Sequence, residues 1–210
     1  MFCCNFYLKS IVFRRCIFLI LLALFVEDII SENISETFSR FYIENFSEKI
    51  QLSNNVINCI VQDTTGFMWI GTSHGLNKYD GNKVTQYFYN PKDSLSIADN
   101  NIQCLFVDSQ GVLWVLVPMF LCKYEEETDT FIRYPYATFK KNTHTANSGG
   151  IIEDKDGNLW IGTPEMGFFC FNRDKEKIIK IDLPVDGIGK VFFDEGRQIL
   201  WVCSIGEIDK

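Results

Sequence analysis

Two histidines, His74 and His144, stand in 210 residues, so a histidine-built metal site is not expected and any general-base chemistry would rest on one imidazole. The aspartates carry a stronger pattern. Asp63, Asp108 and Asp154 each open the same cassette: Asp63-Thr-Thr-Gly66-Phe-Met-Trp69, Asp108-Ser-Gln-Gly111-Val-Leu-Trp114 and Asp154-Lys-Asp-Gly157-Asn-Leu-Trp160. Asp154-Lys-Asp-Gly-Asn begins like a calcium loop, but the remaining ligand spacing and the terminal glutamate of an EF-hand are missing. Aspartate at the first and glycine at the fourth position suit a type I turn, and turn formation is the expected role. Beyond residue 50 lie Cys59, Cys104, Cys122, Cys170 and Cys203, an odd number without a C-x-x-C pair. Cys59 and Cys104 sit in apolar runs and read as small buried hydrophobes, with a disulfide between neighbouring repeats left open. Glu125-Glu126-Glu127 reads as a solvated hairpin tip. Catalytic residues, metal ligands and cofactors are therefore not assigned.

What positions these residues is a repeat. The four tryptophans, Trp69, Trp114, Trp160 and Trp201, are spaced by 45, 46 and 41 residues, and each closes one copy of the cassette. The fourth copy, Asp194-Glu-Gly196-Arg-Gln-Ile-Leu-Trp201, keeps its ends and shifts its glycine. Each unit divides into four short strands. In the first they are Val56 to Val61, apolar on both faces like a strand between two sheets, then Phe67 to Thr72, Leu76 to Tyr79 and Val84 to Tyr89. The second unit repeats this with Ile102 to Val107, Leu113 to Val117, Leu121 to Tyr124 and Thr130 to Tyr134. The third has Ile151 to Glu153, Leu159 to Thr163, Phe168 to Phe171 and Lys177 to Ile181. Four antiparallel strands per 40–45 residues mark a β-propeller blade, whereas helical solenoids of similar period would show 3.6-residue periodicity. The expected fold is all-β: an incomplete propeller of about three full blades and part of a fourth, with blades near residues 51–90, 98–135, 147–182 and 187–210. The tryptophans are expected to pack between blades.

Composition narrows the partners. Hydrophobic residues make up 47% and aromatics 15%, which excludes a disordered chain, and a net charge of −7 lacks the basic footprint of a nucleic-acid binder. Lys9, Arg14 and Arg15 precede the apolar run Cys16 to Val26. Eleven residues suit the core of a signal peptide and fall short of the roughly 20 that span a bilayer. Residues 1–28 therefore read as a signal peptide or signal anchor, forming an N-terminal helix, and the chain as exported. Residues 29–50 form a lead-in segment with one strand, Phe38 to Phe46.

Gln51-Leu-Ser-Asn-Asn-Val-Ile, Gln62-Asp-Thr-Thr-Gly-Phe-Met-Trp-Ile-Gly-Thr72 and Gly75-Leu-Asn-Lys-Tyr-Asp-Gly81 resemble the two-component regulator propeller repeat, as does Asp93-Ser-Leu-Ser-Ile-Ala-Asp-Asn-Asn-Ile102. The resemblance covers about residues 45–205. It implies the exported N-terminal sensor region of a hybrid two-component histidine kinase of the kind found in gut Bacteroidetes. Two propellers, a β-sandwich, a membrane helix and cytoplasmic phosphorelay domains belong to that architecture, and its members sense glycans or their oligosaccharides. Two departures stand out. Val115-Leu-Val-Pro-Met-Phe120 replaces the Ile-Gly-Thr and glycine pair of the second unit, and Asn147-Ser-Gly-Gly150 replaces the apolar start of the third. Kinase and receiver segments are absent from these 210 residues, so enzymatic activity is not assigned to them.

Loops joining second to third strands share a propeller face with those joining successive blades, and such convergent loops suit a small ligand. His74, Asn100, Phe120 and Glu165 are the candidate ligand-binding residues there, whereas His144 reads as solvated. The expected partners are an oligosaccharide, the remaining blades and domains of a longer polypeptide, and a second copy in a homodimer, without nucleic acid. The expected location is the periplasm, tethered to the inner membrane in the full-length protein. The competing readings are an exported platform for protein interactions and a propeller lyase using His74 as base. An open fan of blades exposes an apolar sheet face and strand edges. Purified residues 29–210 are accordingly expected to aggregate or unfold in part, and a monodisperse monomer with a cooperative thermal transition would overturn that expectation.

Overall fold

The computed structural model describes residues 50–136, 150–164, 166–184 and 187–204. The expected leader and lead-in strand lie outside these residues, as do His144 and Glu165. The first sheet runs β1 (Ile57–Gln62), β2 (Met68–Thr72), β3 (Gly75–Tyr79) and β4 (Val84–Tyr87), each strand antiparallel to the one before it. The second runs β5 (Cys104–Val107), β6 (Leu113–Val117), β7 (Phe120–Glu125) and β8 (Thr130–Pro135). The third runs β9 (Gly150–Glu153), β10 (Leu159–Thr163), β11 (Gly167–Asn172) and β12 (Lys177–Ile181). A fourth, two-stranded sheet pairs β13 (Ile188–Asp194) with β14 (Ile199–Ser204). Three four-stranded meanders and one two-stranded sheet thus follow one another along the chain, the propeller arrangement that the repeat predicts.

The core lies between the sheets rather than within any one of them. Between the first and second blades, Trp69, Leu76, Ile97, Ile102, Leu105, Val115 and Phe131 form one buried cluster. Between the second and third, Trp114, Leu116, Leu121, Leu159, Ile161 and Phe171 form another. Strand β6 shows why both clusters exist. All five of its residues are buried, with Leu113, Val115 and Val117 serving the first cluster and Trp114 and Leu116 the second. Alternation with period two thus feeds both neighbours of a central blade.

The two outer sheets each keep one uncovered face. Val56, Ile57 and Ile60 are 54–59% exposed, where the apolar sequence of β1 suggests burial on both faces. No described sheet precedes β1, so one row of its side chains meets solvent. On the far side, Phe192 is 61% and Trp201 52% exposed. Strand β5 also begins later than its sequence suggests. Ile102 donates its N–H to Thr72 O of the first blade at 3.0 Å, so its backbone joins the blades before the ladder starts.

Close approach of blades depends on two glycines. A Cβ on Gly71 would lie 2.5 Å from Ile102 Cγ2 and 2.6 Å from Cys59 Sγ, and one on Gly162 would lie 2.6 Å from Ile188 Cγ2. In both places an isoleucine leading into the next blade fills the hole that the glycine leaves. Leu116 holds the equivalent position of the second blade and is itself fully buried. The third unit correspondingly has Ser148 where Ile102 and Ile188 stand. Gly71→Ala and Gly162→Ala are each expected to cost about 1–3 kcal/mol by overpacking. Leu116→Ala is expected to cost about 2–5 kcal/mol by leaving a cavity. Urea midpoints of the three variants measure this, and a neutral Gly71→Ala would show that the blades do not meet there.

Candidate functional site

The cassette aspartates are anchors for the tryptophans. Asp63 Oδ1 accepts the N–H groups of Thr65 and Phe67 at 3.0 and 2.9 Å, which shapes the turn, while Oδ2 accepts Trp69 Nε1–H at 2.7 Å. Asp108 does the same with Gln110, Val112 and Trp114 at 2.9, 2.8 and 2.7 Å. Asp154 repeats it with Asp156, Asn158 and Trp160, each at 2.9 Å. Both oxygens of every one of these carboxylates accept protein donors, so turn building and indole anchoring are the roles the geometry gives them. Burial raises these carboxyl pKa values, but the indole and backbone donors outweigh it, so all three lie below the ordinary 3.8.

Two of the three anchored indoles reach the next blade, while Trp160 stacks on Phe168 of its own blade at 5.5 Å. Trp69 lies 4.7 Å from Tyr124, centroid to centroid, and 5.7 Å from Tyr87 of its own blade. Trp114 lies 4.9 Å from Phe171 and 6.1 Å from its own Tyr134. Tyr87 and Tyr124 both donate their hydroxyls to Asp129 Oδ1, at 2.7 and 2.8 Å, across the same interface. Aromatic contacts of this kind add about 0.5–1.5 kcal/mol each beyond burial.

On the opposite face, the β2–β3 turn meets the link between the first and second blades. Gly75 N–H donates to Asn100 O at 2.7 Å, joining the β2–β3 turn to the link between blades. That brings His74 and Asn100 into one loop cluster. His74 is exposed, its ring 5.9 Å from Phe88. Asn100 Oδ1 accepts the Tyr89 N–H at 2.7 Å, so its side chain already holds the loop. Phe120 is half-buried and packed against the core between the first two blades. Glu165 lies outside the described residues. Among the three described candidates, His74 is therefore the side chain that stands most open to a ligand.

Two of the thiols, Cys59 and Cys122, are poor nucleophiles. Burial, with Cys104 as neighbour, pushes Cys59 up to about 12, and burial pushes Cys122 to about 12 as well. At neutral pH both stay protonated, which suits packing and not attack.

The turn face also holds a charged node between the second and third blades. Arg173 donates from Nη2 to Asp108 Oδ2 at 2.8 Å and to Glu153 Oε1 at 3.2 Å. Its Nη1 donates to Gln110 Oε1 at 3.0 Å and its Nε to Gly157 O at 2.7 Å. Ser109 completes the node by donating from its N–H and hydroxyl to Glu153 at 2.7 and 3.0 Å. Reading the tryptophans only as packing residues misses both the indole tether and this node. The constant six-residue interval from aspartate to tryptophan signals the tether, and Arg173 at the end of the third strand signals the node.

Three segments of the chain, residues 51–74, 96–117 and 144–165, match the family described as two component regulator propeller. A stretch of 55 residues is 40% identical to Histidine kinase P4 of Formosa agariphila, covering 26% of this chain and 4% of that protein. The fold is similar to the extracellular domain of a hybrid two component system of B. thetaiotaomicron, with a TM-score of 0.60 at 22% identity over 78% of this chain and 26% of that one. It is similar also to the extracellular domain of a one component system of the same organism, with a TM-score of 0.59 at 22% identity over 74% of this chain and 23% of that one. The chain thus spans about a quarter of each solved relative.

Because the three anchoring aspartates sit below 3.8 when folded, they stabilise the blades in full above that pH. That contribution is lost as the pH falls from there through their folded values. The urea midpoint is expected to drop on acidification below about pH 4, and Asp108→Asn is expected to flatten that limb by removing one of the titrating groups. An unchanged acid limb in the variant would show that Asp108 does not carry the effect.

Proposed function

We propose that this chain, which carries three two-component regulator propeller repeats, is the blade-forming part of an exported sensor whose ligand state is passed to a histidine kinase. The observation that carries the reading is the match of three successive repeat units to that family. The fold supports it, because the two solved relatives are extracellular domains of bacterial signalling systems. The sensor would stand in the periplasm, joined through further domains to the inner membrane, and the apolar run Cys16 to Val26 would start its export.

The ligand proposed for this sensor is an oligosaccharide released from a glycan. The loop cluster with His74 and the Phe88 ring offers an imidazole and an apolar face, which together suit a sugar's hydroxyls and ring. Phosphotransfer would belong to segments beyond these 210 residues. Open sheet faces at Val56, Ile57 and Ile60 and at Phe192 and Trp201 are what further blades would cover.

An antibody raised against residues 51–200 tests the reading in source cells. A membrane-bound polypeptide far larger than 24.3 kDa is expected, and a soluble product of that size would overturn the signalling role. A glycan-derived oligosaccharide is further expected to raise the urea midpoint of that protein, with His74→Ala reducing the shift.

A further inference from the structure

A blade enters the interface with its predecessor through two apolar residues set three apart at its first strand. In the second blade these are Ile102 and Leu105, and in the fourth sheet Ile188 and Val191; Ile102, Leu105 and Ile188 are at most 8% exposed. The strand register identifies their counterparts in the first blade. Ile57 pairs with Thr72 as Ile188 pairs with Ser204, and Ile60 pairs with Ile70 as Val191 pairs with Val202. Both strands also shift register at the same place, between Ile57 and Cys59 and between Ile188 and Lys190. Such an irregularity lets residues three apart face the same side of a strand. Ile57 and Ile60 are thus set out for the same docking, yet they are 54% and 59% exposed.

The docked pairs show what receives them. A Cβ on Gly162 would lie 2.6 Å from Ile188 Cγ2 and 3.2 Å from Val191 Cγ1, and one on Gly150 would lie 3.2 Å from Val191 Cγ2. Ile102 closes on Gly71 in the same way. The receiving surface is one cross-strand pair, Gly150 with Gly162 in the third blade and Cys59 with Gly71 in the first. Where the second blade has Cys104 with Leu116 instead, the next unit has Ser148 in place of the isoleucine, so bulk on one side goes with a small residue on the other. The matching pair of the fourth sheet is Lys190 with Cys203, both exposed. Cys203 fills the hole that a glycine would leave, and Lys190 sets an ammonium beside it. An isoleucine pressed against them would overpack the thiol and draw water from the charge. The two open faces of the described row therefore do not fit one another.

We propose that the open face of β1 is a docking surface for a further blade whose second strand carries glycine two residues after its tryptophan, and that Lys190 and Cys203 bar the fourth sheet of a second copy from that place. Gly71 after Trp69 and Gly162 after Trp160 are the two such glycines in this chain, and each already holds an isoleucine. Docking rests on the first two strands of the receiving blade, since β13 lies against β9 and β10. The pair β13–β14 would therefore offer a whole receiving surface once its bulk and charge were removed. That the occupant belongs to the same polypeptide rests on the sensor reading, whereas the pairing of isoleucine with glycine does not.

Sedimentation velocity of altered full chains tests the pairing. A receiving form, Lys190→Gly with Cys203→Gly and Ile57→Asp, copies the third blade's glycines onto the fourth sheet and loses its own entering residue. Mixed with the unaltered chain, it is expected to give a discrete pair of twice the 24.3 kDa chain mass and no longer assembly. That pair is expected to be at least about tenfold tighter than any association of the unaltered chain with itself. Ile57→Asp in the otherwise unaltered partner is expected to abolish it, and the exposure of Ile57 spares the fold. If the receiving form lacks a cooperative urea transition, Lys190→Cys with Cys203→Gly and Ile57→Asp copies the first blade and serves instead. Three results would overturn the proposal: no pair with either receiving form, equal pairing by the Ile57→Asp partner, or equally tight association of unaltered chains. A pair formed in solution, with only a small soluble product in source cells, keeps the docking surface and removes the sensor reading. A large membrane-bound polypeptide without the pair does the reverse.

Discussion

A four-stranded sheet has two apolar faces and no interior, so each blade becomes stable only by burying those faces against neighbours. The tryptophan of the cassette is the peg through which this happens. An indole carries a large apolar surface but also an N–H that is costly to bury unpaired. The aspartate six residues earlier meets that cost and at the same time builds the turn that starts the strand, using one oxygen for each task. Fixing the indole at its polar edge sets its angle, and its faces then meet Tyr124 or Phe171 of the next blade. Turn, strand and interface are thus coupled through one side-chain pair per repeat.

The same coupling explains the variation from blade to blade. Where the second strand carries glycine, as at Gly71 and Gly162, an isoleucine from the next blade enters the hole. Where it carries Leu116, the following unit begins with small and polar residues. On the turn face, Arg173 neutralises the buried Asp108 and ties it to Glu153, whereas the first interface has Glu126 and Val107 at the positions of Arg173 and Glu153. Uniform backbones with exchanged side chains let one architecture hold a sealed interface beside an open one.

Exposure follows position in the row. Trp69 and Trp114, each with a blade on its far side, are buried, whereas Trp201 is half exposed on the last described sheet. The candidate ligand-binding residues differ for a similar reason. Asn100 and Phe120 lie where blades are joined, so their polar or apolar surface is drawn into holding loops and core together. His74 stands at the tip of a two-residue turn and stays free of such duty.

Much of this was legible in the chain itself. Tryptophan spacing and the Asp-x-x-Gly cassettes specify four short strands per unit and hence a propeller, because those patterns act locally, through turn geometry and period-two alternation. Packing of the tryptophans between blades follows from the same spacing. What only the tertiary structure decided is which side chains meet across an interface: Trp69 against Tyr124 and Trp114 against Phe171, Ile102 in the hole at Gly71, and Arg173 against Asp108 and Gln110. Those contacts depend on the rotation of one sheet against the next, a long-range quantity that spacing along the chain does not encode.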